Sequence, residues 1–240
     1  MRTHNNKILF FILFFILAAS GFSMDQLVER AMDKMENTPE NAFAYTITKK
    51  TKEENTIERF NPSKPEGERW TLIKKNGDPP TEKDIEEYEK KKLEEKKAAE
   101  KREENNNNSN SQMSLRNMID EKTVTLVKTS ENYRTYSFQA SADNNGISEN
   151  MAKGLEGTFQ VNKEKKYISS ITLNNTEKLS PVFGVSIDSF FMQMEFSPLS
   201  RNGLIVLRKS IFRMQGKAFL VKNIDTDTTS TYSNYQFIGN

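Results

Sequence analysis

The residues able to do chemistry in this chain are carboxylates, lysines, tyrosines, serines and threonines, because cysteine is absent and the single histidine is His4. His4 stands inside an N-terminal segment that reads as a removable signal, so the remainder has neither imidazole nor thiol. Ser-His-Asp and Cys-His catalysis are thereby excluded, as are zinc sites built on His or Cys. No spacing of the remaining groups specifies acid–base work, and no glycine-rich phosphate loop, EF-hand loop or helix-turn-helix signature occurs. The expectation is a protein that is not an enzyme and that takes no cofactor or metal. Asp188 is set among apolar neighbours in mid-strand. It is either a buried carboxylate of raised pKa, the partner of Arg59, Arg134 or Arg213, or a residue of the polar face. Trp70, the only tryptophan, follows a Pro/Gly loop and is either a packing residue at the mouth of a sheet or a ligand contact.

Binding is better represented than catalysis. Between residues 182 and 196, one parity supplies Phe183, Val185, Ile187 and Phe191, and the other supplies Phe190, Met192, Met194 and Phe196. A sheet with one face in water does not need apolar residues on both parities. Either a bulge near Ser189 switches faces, or one face rests on helices while the other lines a cavity. Methionine adapts its shape to flexible acyl chains and serves equally well in a core.

The elements that must position these rows follow from periodicity. Residues 1–23 form the order of a signal peptide: basic Arg2 and Lys7, an unbroken apolar run over 8–19, then small residues that allow cleavage after Ser20 or Ser23. As a helix that run rises only about 18 Å, short of the ~30 Å bilayer core. No cysteine stands at the junction to be lipidated, so no membrane anchor is expected after cleavage. Removal of Arg2 and Lys7 leaves 33 basic against 33 acidic residues, a balance that gives no general attraction to nucleic acid. An exported fold without disulfides points to a bacterial periplasm.

Leu27, Val28, Ala31, Met32 and Met35 recur at helical spacing, so a helix is expected over 24–37, opened by the capping box that begins at Ser23 and broken at 38–41. Phe43, Tyr45 and Ile47 alternate with Ala44, Thr46 and Thr48 as a half-buried strand does. Further strands are expected at 56–60, 69–74, 123–128, 133–139, 157–161, 166–173, 182–196, 204–215, 217–224 and 230–237, with turn signals at 143–146 and 200–203. Residues 81–104 are nearly all Glu and Lys, opened by Thr81 and Asp84. Their thin stripe of Ile85, Tyr88 and Leu93 predicts a solvated helix that touches the body mainly near its start. An asparagine-rich run follows, then a short helix over 114–119. The architecture is α+β: a curved antiparallel sheet or incomplete β-barrel of about ten or eleven strands, lidded by two or three helices. Residues 24–240 form one domain, with the charged helix and its linker at 81–112.

Two stretches carry a resemblance. Phe60-Asn61-Pro62-Ser63-Lys64-Pro65-Glu66-Gly67-Glu68-Arg69-Trp70-Thr71-Leu72 continues to Gly77-Asp78-Pro79-Pro80-Thr81, and Gly216-Lys217-Ala218-Phe219 continues to Tyr232-Ser233-Asn234-Tyr235. They resemble uncharacterised exported proteins of Gram-negative bacteria associated with the fold of the lipoprotein carrier LolA and its receptor LolB. The resemblance implies an incomplete barrel around an apolar cavity, and binding or carriage of a lipid, acyl chain or lipoprotein in the periplasm. No motif of the carrier itself is present, so the candidate lining comes from the strand pattern: Phe43, Tyr45, Ile47, Trp70, Leu72, Phe190, Met192, Met194 and Phe196. The alternative is a periplasmic scaffold with a filled core, whose charged helix docks an envelope protein.

Overall fold

The computed structural model describes residues 25–37, 42–105, 115–142, 149–199, 203–219 and 222–239. The signal at 1–23, the breaker at 38–41, the asparagine run from 106 and the turn signals at 143–146 and 200–202 lie outside them. The fold is α+β, a single antiparallel sheet of ten strands in the order β3-β2-β1-β10-β9-β8-β7-β6-β5-β4. Its strands are β1 (Phe43–Thr51), β2 (Asn55–Phe60), β3 (Trp70–Lys75), β4 (Thr125–Thr129), β5 (Tyr133–Gln139), β6 (Leu155–Asn162), β7 (Tyr167–Asn175), β8 (Val185–Pro198), β9 (Ile205–Ala218) and β10 (Lys222–Phe237). The sheet is curved and open, because β3 and β4 stand at opposite edges and do not pair. Pairing of β1 with β10 joins the first strand to the last. Among the described residues four α-helices accompany the sheet: α1 (Gln26–Glu36), α2 (Glu82–Asn105), α3 (Leu115–Met118) and α4 (Glu149–Lys153).

Alternation on β6 identifies the inner face: Leu155, Gly157, Phe159 and Val161 are buried while the residues between them are exposed. Helix α1 lies on that face against β6 and β7. Its Val28, Ala31 and Met32 are fully buried with Phe159, Ile168 and Ile171, and each large apolar side chain contributes about 1.5–3 kcal/mol. The N-cap is Asp25, whose Oδ1 accepts the Leu27 N–H at 2.9 Å, so the helix begins later than the expected 24. Asp25 Oδ2 also accepts from Arg134 Nη1 and the Tyr136 hydroxyl, both at 2.7 Å. Burial and the Asp25 contact push the Tyr136 hydroxyl up to about 12. The cap thus pins α1 to β5.

Two strands expected at 217–224 and 230–237 are in fact the end of β9 and a continuous β10. Gly216 resembles a strand boundary but lies inside β9. A Cβ there would stand 2.1 Å from the Ser186 carbonyl oxygen, so the glycine permits close approach of β8. Directly opposite, β8 carries an extra residue between Ile187 and Ser189. That bulge resolves the doubly apolar pattern. Ile187 pairs with Gly216 and Phe190 with Met214, which places Val185, Ile187, Phe190, Met192, Met194 and Phe196 on the inner face and leaves Phe191 outside. Asp188 sits at the bulge itself, exposed and paired with Lys178 at 2.9 Å rather than with an arginine.

Candidate functional site

The candidate site is the inner face of the sheet. Register places every predicted lining residue there, in two groups. The first is aromatic. Tyr45 pairs with Phe60, and Phe60 with Trp70, with ring centroids 5.1 Å and 4.8 Å apart. Tyr235 and Tyr232 add further rings at 5.4 Å and 6.0 Å from Tyr45. Alternation alone cannot put residues 232 and 235 on one side. A bulge in β10 does so, with Asn234 in the left-handed region at φ 53°; Asn tolerates that conformation better than most residues. Phe43 is buried beside Val206 at one end of this group, and Ile47 and Leu72 are buried within it. The Tyr235 hydroxyl donates to the Leu207 carbonyl, and burial pushes its pKa up.

The second group is the β8 stripe of Phe190, Met192, Met194 and Phe196. These side chains touch the core beneath α1 and stay half-buried. On β9, Phe212 and Met214 stand opposite Met192 and Phe190, and the Phe190 and Phe212 rings meet edge to face at 5.6 Å. Between the two groups run Thr226, Thr228 and Ser230 of β10, paired with Met214, Phe212 and Ser210. The inner face therefore offers an apolar stripe beside a row of hydroxyls.

Helix α2 covers the aromatic end. Thr81 Oγ1 accepts the Asp84 N–H at 3.2 Å while Asp84 Oδ2 accepts the Thr81 N–H at 3.0 Å, a reciprocal cap. An Asn76-Gly77 turn, with both residues at positive φ, reverses the chain ahead of it. The expected apolar stripe does not hold the helix, since Ile85 and Leu93 are exposed. Polar contacts hold it instead, and they reach beyond its first turns: Lys75–Asp84 at 2.7 Å, Lys92–Glu58 at 3.2 Å and Lys96–Glu66 at 3.0 Å. Lys92 Nζ also stands 4.4 Å over the Trp70 ring, so Trp70 is capped by a cation.

Glu58 is the centre of this contact and was missed by sequence reasoning. It is only 5 % exposed and accepts from Thr56 Oγ1 and the Tyr88 hydroxyl, each at 2.9 Å. Burial pushes its carboxyl up, but the Lys92 charge and the hydrogen bonds from Thr56, Tyr88 and Lys92 outweigh it and hold the pKa below the usual value. The same burial, with Glu58 alongside, raises the Tyr88 hydroxyl. The available signal was parity: Glu58 occupies the inward slot of β2 between Thr56 and Phe60. Beside it lies a crevice of about 20 Å³, room for on the order of one water. Its walls are polar, Lys49, Thr51, Thr56, Glu58, Tyr88 and Lys92 among them, and it contains none of the predicted lining residues.

Among the described residues, no group of three or more His, Cys, Asp or Glu is arranged to hold a metal ion, and no helix is long and apolar enough to cross a membrane. No protein-family model, curated protein or solved structure matches this chain.

Proposed function

We propose that this chain is an exported, non-catalytic binding protein of the periplasm whose inner face receives the acyl chain of a lipid or lipidated protein. The observation that carries this reading is the stripe of Phe190, Met192, Met194 and Phe196 with Phe212 and Met214. It is apolar and half-buried, and it lies on the face that also bears both long helices. An acyl chain laid along it would lose up to about 0.8 kcal/mol per buried methylene, so ten methylenes give roughly 8 kcal/mol before the costs of association. The thioethers adapt to a flexible chain, and the β10 hydroxyls supply acceptors and donors for a headgroup. The resemblance to LolA/LolB-like proteins supports the same ligand class.

The test is native mass spectrometry of protein purified from its own envelope, before and after organic extraction, joined to a fatty-acid titration. Co-purifying lipid and an affinity that rises with chain length are expected. Absence of both would favour the scaffold reading, to which α2 lends support through its exposed Ile85 and Leu93 in a charged helix.

A further inference from the structure

One end of the sheet, where β8 begins and β9 stops, holds three large apolar side chains in water. Phe183 is 98 % exposed, Phe219 69 % and Val182 64 %. They form one feature. The Phe219 N–H donates to the Gly184 carbonyl, and a Cβ added to Gly184 would meet the Phe219 ring at 2.9 Å. Both Gly184 and Phe219 lie at positive φ, 80° and 49°. That conformation suits the glycine and is costly for the phenylalanine. The connection from β9 to β10 reads Phe219, Leu220, Val221, where a hairpin ordinarily places Gly, Asn or Asp. Local backbone physics therefore argues against a phenylalanine at 219, and the exposure of Val182, Phe183 and Phe219 shows that the described core gains little from these three side chains.

Charge indicates what covers them. Lys217 and Lys222 flank the tip, exposed, and make no ion pair with any described residue, whereas Lys178 is engaged with Asp188. Three side chains on a projecting end fall far short of the roughly 800 Å² that each partner buries in a stable protein interface. They match the pattern of a surface that dips into a bilayer, with aromatic and aliphatic tips at the acyl boundary and amines at the phosphates. We propose that this end of the sheet is a membrane-contact tip: Val182, Phe183 and Phe219 enter the interfacial zone of an anionic lipid bilayer, and Lys217 and Lys222 face its phosphates. The proposal stands independently of the acyl-binding reading, because it concerns an end of the sheet and not the inner face.

Flotation with vesicles of phosphatidylethanolamine and phosphatidylglycerol, against vesicles of phosphatidylcholine alone, tests it. The protein should float with the anionic vesicles. Phe183→Ser with Phe219→Ser should weaken binding at least about tenfold, and Lys217→Gln with Lys222→Gln should weaken it on anionic vesicles only. Phe183→Ser alone is the control for folding, since so exposed a side chain leaves the thermal midpoint unchanged. Phe183→Trp should show blue-shifted emission quenched by brominated lipid. Failure of the wild type to float, or full binding by the double serine variant, would overturn the proposal. So would a concentration-dependent dimer in sedimentation velocity that the serine variant abolishes, which would assign the tip to a second copy.

Discussion

Replacing Tyr88 by Phe removes one hydroxyl and leaves the ring, which isolates the contact holding α2 on the sheet. The hydroxyl donates to the buried Glu58 carboxylate at 2.9 Å, and a hydrogen bond to a charged group contributes about 1.5–3 kcal/mol. Glu58 would keep Thr56 and Lys92 as partners. Because α2 leaves Ile85 and Leu93 exposed, little apolar burial compensates, and the loss should fall on detachment of α2 rather than on global unfolding. Roughly ten- to hundredfold faster hydrogen exchange along Glu82–Asn105 is expected at neutral pH. The pH dependence follows from the lowered carboxyl of Glu58. Its folded pKa lies below the ordinary 4.5, so its contribution is complete above that value and is lost as pH falls through the folded pKa. The Tyr88→Phe penalty should fade over the same acid range. Less than a twofold change at neutral pH, or an undiminished penalty once Glu58 is protonated, would refute the latch.

Gly216→Ala should cost about 1–3 kcal/mol or more in urea unfolding, because the new Cβ would stand 2.1 Å from the Ser186 carbonyl oxygen at the β8 bulge. Asp25→Ala removes the α1 cap and strands the buried Tyr136 hydroxyl. A loss of about 2–4 kcal/mol is expected in the same assay. Deleting residues 98–112 and rejoining the chain with a short flexible linker should shift the thermal midpoint by only a few degrees, since the contacts Lys75–Asp84, Tyr88–Glu58, Lys92–Glu58 and Lys96–Glu66 that hold α2 on the sheet all precede residue 98. A collapse in stability would place that segment in the core.

Local periodicity made most of the fold legible. The α1 stripe of Val28, Ala31 and Met32, the strand alternation of β1 and β6, and the Thr81–Asp84 cap are each written in a few neighbouring residues. What escaped depends on partners distant in sequence. Gly216 reads as a break until β8 is seen against it, so one boundary too many was expected. The bulge at Asn234 that turns both Tyr232 and Tyr235 inward has no signature beyond an asparagine between Ser233 and Tyr235. The site behaved alike. Parity placed Met192 and Met194 on one row, but which row faces the helices depends on the bulge at Asp188. The polar anchoring of α2 was hidden because Glu58 looks like any strand glutamate until Tyr88 and Lys92 reach it from a helix some thirty residues on.

The acyl-binding claim is tested most directly by two tryptophan reporters on adjacent residues of β8, each in a Trp70→Phe background. Met192 faces inward opposite Phe212, and Phe191 faces outward opposite Arg213. Titration with a brominated fatty acid should quench Met192→Trp saturably at micromolar concentrations and leave Phe191→Trp unaffected. Equal quenching of both, or of neither, would contradict a ligand seated on the inner face.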